Sequence, residues 1–303
     1  MTMPPYTPPQ AAVCYRHPDR PTGLSCSRCG RSACPECLRP AAVGQHCVDC
    51  LRNDGIQQST ATTPRRRWSS AVAGDTPYVT YALIVINLIV FGLCVAEAGI
   101  TNPGNAALMS DGSLVKGIVG EGEYWRLLTA GFLHFSVMHV AVNMISLYII
   151  GRDLERALGT YRYLAVYLIS LLGGSAAVML FEADNVQTAG ASGAIYGLIG
   201  AMLVIVLKAR VPATPVLVII GFNVVLSVSL PGISLMAHLG GLAFGVAATA
   251  AIVYLPGLVL PRARLDAASA NRVAWAALVT LLVVALGLGV GAGMLYDGPT
   301  ILR

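Results

Sequence analysis

The sequence predicts an all-α polytopic membrane protein with a small cysteine-rich module at its N-terminus. Three observations carry that reading. Of 303 residues, 55% are hydrophobic and only 12% charged, about half the charged fraction of an ordinary soluble domain. From Tyr78 onward the apolar residues fall into runs close to the roughly 20 residues a spanning helix needs. Seven of the eight cysteines lie in residues 1–75, which are otherwise polar and Pro-rich.

The module occupies residues 1–53. Its spacing is Cys14-x2-His17, Cys26-x2-Cys29, Cys34-x2-Cys37 and His46-Cys47-x2-Cys50. Two-ligand hooks repeated at this density are a zinc signature, and eight ligands serve two tetrahedral ions. So short a segment cannot bury an adequate apolar core, so metal binding would supply the folding energy. The pattern resembles B-box and related cross-brace zinc fingers. That resemblance implies Cys14, His17, Cys34 and Cys37 on one ion and Cys26, Cys29, Cys47 and Cys50 on the other. Consecutive pairing is the alternative, and His46 could replace Cys47 as a ligand. The arginines of the module are offset by Asp19, Glu36, Asp49 and Asp54, without a basic stripe carrying interleaved aromatics. Nucleic acid is therefore disfavoured, and a protein partner is the default.

Residues 54–77, "DGIQQSTATTPRRRWSSAVAGDTP", read as a flexible linker. The N-terminus lacks the apolar stretch of a signal peptide, so the first span is expected to act as an uncleaved signal-anchor.

Seven spans follow, at roughly 78–98, 133–150, 161–181, 189–207, 215–230, 236–255 and 273–295, the fifth being short. Positive charges set the orientation. Arg65, Arg66 and Arg67 precede the first span, and Arg152, Arg156 and Arg162 lie between the second and third. Lys208 and Arg210 follow the fourth, and Arg262, Arg264 and Arg272 lie between the sixth and seventh. All of these share one side if the N-terminus is cytosolic, which leaves the C-terminus outside. Arg outnumbers Lys 18 to 2, a hint of a GC-rich bacterial genome and hence a bacterial plasma membrane. The stretch 99–132 is too long for a hairpin, and long ordered loops are commonly functional. Within it Trp125 and Arg126 read, from spacing alone, as an interfacial aromatic beside a snorkelling arginine.

Ionisable and polar side chains inside spans are rare and point to function. The second span holds "HFSVMHVAVNM", with His139 and Asn143 one turn apart on one face. The fourth opens with "GASGAIYGLIG", with Ser192 and Tyr196 spaced in the same way. The sixth holds "LMAHLGGLAFG", with His238 three residues before Gly241. Ser192 precedes Lys208 by 16 residues and His238 precedes Leu255 by 17. At 1.5 Å per residue those separations are about 24 and 26 Å, so both side chains fall in the outer part of a hydrocarbon core about 30 Å thick. Gly193-x3-Gly197 and Gly241-x3-Gly245 are small-residue faces that let two helices approach closely. Taken singly, each feature has a bland reading: a serine bonding its own helix, a packed or proton-relaying histidine, a weak dimer motif. Their occurrence at one depth is what points to chemistry.

Together these motifs resemble the rhomboid intramembrane serine proteases, from Trp125-Arg126 to about residue 250 and including Glu155 and Arg156 in "DLERALG". The resemblance implies a six-helix catalytic core over 78–255. Residues 256–303 then supply a cytosolic loop and a seventh helix. It implies Ser192 as nucleophile and His238 as general base, in a dyad whose imidazole is oriented by packing. Tyr196 stacks on that ring. His139, Asn143 and the Ser192 N–H serve as oxyanion donors, and Gly190 leaves room for substrate. His134 matches the family pattern in a structural role, and Trp125/Arg126 fall in a membrane-embedded first loop. The implied substrates are single-span membrane proteins in the lipid bilayer, cut near their extracytoplasmic ends. No cofactor is expected for the catalysis itself. Two rivals stay open: a rhomboid-fold pseudoprotease that binds membrane clients, and a transporter with a Ser/His-lined path.

Overall fold

A computed structural model describes residues 12–41, 44–53, 76–184, 186–230, 232–261 and 266–298. The linker expected at 54–77 falls almost wholly outside these residues, as do Arg65, Arg66, Arg67, Arg262 and Arg264. The chain divides into two compact units, residues 1–70 and 71–303.

The described residues of the N-terminal unit hold little regular structure. A 3₁₀ turn at Pro35–Cys37 leads into an antiparallel pair, β1 (Leu38–Pro40) and β2 (Gln45–Cys47), followed by a short helix α1 (Val48–Asn53). Its interior is made of Cys14, Cys26, Cys34, Cys37 and Cys47 with Ala33 and Leu38. Among the described residues of this unit almost nothing apolar is buried besides the cysteines themselves, so its fold depends on what holds the cysteines together.

In the second unit the long helices are α2 (Tyr78–Ala98), α6 (Val137–Leu158), α7 (Thr160–Phe181), α8 (Ser192–Lys208), α9 (Thr214–Ser229), α10 (Leu235–Val253) and α12 (Ala267–Met294). One matches each expected span. Five are long and apolar enough to cross a membrane; α8 and α9 are shorter apolar helices. Between α2 and α6 the expected long connection is built of helical turns, α3 (Ala107–Gly112), α4 (Lys116–Gly120) and α5 (Arg126–Thr129). A further short helix, α11 (Leu255–Val259), precedes α12.

The helix ends follow local chemistry. Gly99 and Gly159 close α2 and α6 at φ +82, a backbone conformation that glycine adopts without strain. Ser136, Ser234 and Asp266 cap α6, α10 and α12 through their side-chain oxygens, satisfying N–H groups that a helix start leaves unpaired. The second span differs from its expected bounds. Its helix starts at Val137 rather than 133 and runs on to Leu158. Hydropathy fails at Arg152, but the backbone does not. The extra turns bury Glu155, whose carboxylate accepts from Val79 N at 3.0 Å, Thr80 N at 2.8 Å and Thr80 Oγ1 at 2.7 Å. That carboxylate therefore serves the uncapped first turn of α2, where a negative charge is also favoured by the helix dipole.

The centre of the unit is the contact of α7, α8 and α10. A Cβ placed on Gly241 would collide with the Gly193 backbone, and one on Gly245 with that of Gly197. A Cβ on Gly174 would lie 2.7 Å from Ala237 O, and one on Gly240 would lie 2.6 Å from Gly173 O. Lipid supplies no hydrophobic drive between helices, so backbone-to-backbone approach through small residues is what supplies dispersion contact here.

This generates a test with a built-in control. Gly241→Ala should lower thermal stability by about 1–3 kcal/mol through overpacking against backbone. Gly287→Ala on α12, where an added Cβ meets nothing within 4 Å, should not lower it. Equal thermal unfolding midpoints for the two variants in detergent would refute the close contact.

Candidate active site

Ser192 is the first residue of α8. No side chain caps this helix, and among the described residues the N–H groups of Ser192, Gly193 and Ala194 have no hydrogen-bond acceptor. An uncapped helix start presents donors and a partial positive charge to whatever lies before it. Ser192 is half-buried, and its side chain lies at the edge of that positive end.

His238 sits in the first turn of α10, with only 6% of its surface exposed. The Gly193–Gly241 and Gly193–Ala237 approaches set this turn against the first turn of α8. Tyr196, one turn into α8, stacks on the His238 ring with centroids 3.9 Å apart and planes 12° apart. The structure thus puts Ser192 and His238 on facing turns. No hydrogen bond joins their side chains among the described residues.

A residue that sequence reasoning missed completes the surroundings of the imidazole. Ser227, buried near the end of α9, places Oγ 2.7 Å from His238 Nδ1 and 3.2 Å from the Tyr196 hydroxyl, and donates to Asn223 O at 2.8 Å. The ring expected to be oriented by packing alone is therefore also held by a hydrogen bond. Only the bare presence of serine in "NVVLSVSLPG" could have flagged it.

His139 and Asn143 lie on the inner face of α6. The Phe135 N–H donates to His139 Nδ1 at 3.4 Å, which leaves the proton of a neutral ring on Nε2. That nitrogen faces Gly190. A Cβ on Gly190, whose φ is +133, would lie 2.8 Å from His139 Nε2 and 3.6 Å from Ser192 Oγ. Glycine thus keeps open the gap between the donor and the serine. The Asn143 amide gives one of its protons to His139 O at 2.9 Å, in its own helix, and retains a second. His134 is fully buried, packs edge-on against His139 with centroids 4.9 Å apart, and has no polar partner on either ring nitrogen among the described residues.

Trp125 and Arg126 do not form the expected snorkelling pair. Arg126 is 1% exposed. It donates to Ser110 O at 2.6 Å, to Ser113 O at 2.8 Å and to Glu123 Oε2 at 2.8 Å. Its guanidinium therefore ties the turns of the first loop together from inside. Trp125 is exposed and donates to Asp111 O at 3.2 Å.

In the N-terminal unit the ligands form two groups, Cys14–His17–Cys34–Cys37 and Cys26–Cys29–Cys47–Cys50, each with its ligand atoms within 4.8 Å of one another. This is the alternating pairing. His46 faces Arg39 across the strand pair and belongs to neither group. His17 Nδ1 lies 3.4 Å from Cys34 Sγ and Cys37 Sγ, and Cys29 Sγ lies 3.7 Å from Cys47 Sγ. A tetrahedron with metal–sulfur bonds of about 2.3 Å has edges near 3.8 Å, whereas a disulfide is about 2.05 Å long. Both groups therefore fit a metal ion. The Arg31 side chain lowers the Cys29 thiol to about 6, so the ligating thiolate forms readily there. Burial and the neighbouring Cys34 and Cys14 push Cys37 up to about 11, and Cys29 and Cys47 push Cys50 up to about 12. Crowded thiolates repel one another unless a cation sits between them.

A family model described as Rhomboid domain matches residues 121–255. The chain is similar to Rhomboid protease GluP of Bacillus subtilis (strain 168), 33% identical over 193 residues covering 62% of this chain and 37% of that protein. It is similar to RHOMBOID-like protein 4 of Arabidopsis thaliana, 38% identical over 156 residues covering 49% of this chain and 39% of that protein. RHOMBOID-like protein 2 of the same plant is 35% identical over 218 residues, 67% of each chain. The chain thus spans well under half the length of the first two relatives.

Proposed function

The chain belongs to the rhomboid family of integral membrane proteins, and we propose that it is an intramembrane serine endopeptidase working through Ser192 and His238. The observation that carries this reading is the juxtaposition of two features. A serine stands at the uncapped start of a buried helix, and a histidine stacks one turn along that same helix.

The chemistry follows from the groups present. A serine hydroxyl is a weak nucleophile until a base takes its proton. His238 Nε2 accepts the Ser192 Oγ proton as Oγ bonds to the scissile carbonyl carbon. The negative charge on the carbonyl oxygen meets the His139 Nε2–H, the free Asn143 amide proton and the Ser192 N–H, donors fixed before the reaction begins. The intermediate collapses as the C–N bond breaks, and the His238 imidazolium gives its proton to the leaving amine. Water then attacks the acyl-enzyme with His238 again as base, and Ser192 recovers its proton. The core that performs this spans 78–255, with 256–303 supplying a cytosolic loop and the last helix.

Water and substrate must both reach Ser192. Helix α8 has 17 residues, a rise of about 25 Å in a core of about 30 Å. With Lys208 at one surface, Ser192 lies a few ångströms below the other, where an aqueous opening is tolerated. Arg152, Arg156, Arg162, Lys208, Arg210 and Arg272 lie toward the Lys208 end, which is the cytosolic side by charge. The substrate is then a single-span membrane protein cut near its extracytoplasmic end, in a bacterial plasma membrane. Its helix must unwind locally, because helical peptide bonds are shielded.

The module of residues 1–53 binds two structural zinc ions, one in each group of four ligands, and the linker 54–77 joins it to the core. Bound there, zinc would neutralise the thiolates and hold the unit together, and the exposed surface takes a protein partner.

Two outcomes are expected. Ser192→Ala and His238→Ala, each reconstituted in proteoliposomes with a single-span reporter, should lose at least about 100-fold in kcat. Full cleavage by either variant overturns the dyad, and client binding without cleavage by the wild type points to a pseudoprotease instead. Elemental analysis of the full-length chain should find two zinc per chain by the ligand count, and a metal-free chain overturns the zinc assignment.

A further inference from the structure

Ser227 lies outside the catalytic groups just described, and its hydrogen bonds carry a consequence for His238. A serine hydroxyl has one proton to give and two lone pairs to receive. Ser227 Oγ has three polar neighbours: Asn223 O at 2.8 Å, His238 Nδ1 at 2.7 Å and Tyr196 Oη at 3.2 Å. Asn223 O is a carbonyl and can only accept. Giving the one proton to it leaves both lone pairs of Ser227 free to accept, one from His238 Nδ1–H and one from the Tyr196 hydroxyl. That assignment satisfies every partner. If Ser227 instead donated to His238, the contact to the carbonyl would have no proton in it. Two oxygens would then face each other at 2.8 Å without a proton between them, a repulsive contact, at a place where Ser227 and His238 are each only 6% exposed.

We infer that Ser227 is a positioning residue: the Ser227 Oγ contact holds His238 in the tautomer with the proton on Nδ1, leaving the Nε2 lone pair for Ser192. This rests on the reading of His238 as general base, and it adds a third group behind the ring. An imidazole with its proton on Nε2 has its lone pair on Nδ1, against Ser227, and none on Nε2 to take the serine proton. Free imidazole exchanges between the two forms, and a side chain that accepts from Nδ1 removes that choice. The same oxygen keeps its partner when the ring becomes imidazolium, since Nδ1–H then donates with a full charge behind it. Tyr196 adds to the restraint. It covers the ring face while its hydroxyl meets the same Ser227 oxygen, so the orientation of the imidazole is set by α8 and α9 together.

The tautomer is read directly, without relying on activity. The full-length protein is labelled with ¹⁵N-histidine and reconstituted in nanodiscs, and the His238 signal is identified by its loss in His238→Gln. The chain has five histidines, so the assignment is tractable. The expected spectrum has a protonated, pyrrole-type Nδ1 and a pyridine-type Nε2. The reverse pattern in the wild type overturns the proposal whether or not the protein is a protease. Ser227→Ala should give a mixture of tautomers, and Ser227→Thr, which keeps the hydroxyl, should restore the wild-type pattern. On a cleavable reporter, Ser227→Ala should lose roughly 10- to 100-fold in kcat, the worth of one hydrogen bond to a charged group. KM should change less than twofold, and Ser227→Thr should recover most of the rate. An unchanged kcat in Ser227→Ala overturns the positioning role. A wild type with the expected tautomer but no cleavage overturns the protease reading alone and leaves the contact standing.

Discussion

The close approach of α8 and α10 through Gly193, Gly197, Gly241 and Gly245 is the constraint on which the rest of the site depends. At these four glycines the helices meet backbone to backbone. Ser192 adjoins Gly193, and His238 lies one turn before Gly241. The separation of the two functional side chains is therefore set by a contact between main chains, which cannot adjust by changing rotamer. Helix α7 closes against the same seam through Gly173 and Gly174, and it carries much of the buried core. A site that must hold geometry in a solvent without hydrophobic pressure is built on the least compressible element available.

Around that seam, several buried polar groups are held by partners distant in the chain. Glu155 serves the first turn of α2. Arg126 serves the carbonyls of the first loop. Ser227 serves His238 and Tyr196. The N–H groups at the start of α8, like the ring nitrogens of His134, have no partner among the described residues. Open donors at the positive end of a helix are costly as structure and useful as a place for a developing oxyanion.

Much of this was legible in the sequence, and the part that was not has a common cause. Apolar run length located all seven long helices, because a spanning helix must satisfy its backbone internally and show hydrocarbon to lipid. Ser192, His238, His139 and Asn143 stood out because polar residues are scarce in spans, and the two Gly-x3-Gly faces suggested how helices could bring them together. The cysteine hooks marked eight candidate ligands, and the resemblance to cross-brace fingers implied the grouping that the folded unit displays. What stayed hidden were partnerships between residues far apart in the chain. Nothing in "DLERALG" announces that Glu155 binds Val79 and Thr80, 76 and 75 residues away. Nothing in "EYWRLL" says that Arg126 turns inward rather than to the membrane surface. Ser227 of α9 shows no periodicity, and only the packing of α9 beside α8 and α10 gives it a meaning. Helix α6 outlasted its hydropathy for a related reason, since its final turns are held by Glu155 rather than by lipid.

The central claim is that Ser192 is activated by His238 in a pre-formed site. Treatment of the reconstituted full-length protein with a fluorophosphonate, followed by peptide mass mapping, tests it most directly because it needs no knowledge of the substrate. One adduct is expected, on Ser192, and none when His238 is replaced by alanine. An adduct on another serine, or undiminished labelling of Ser192 without His238, would contradict it.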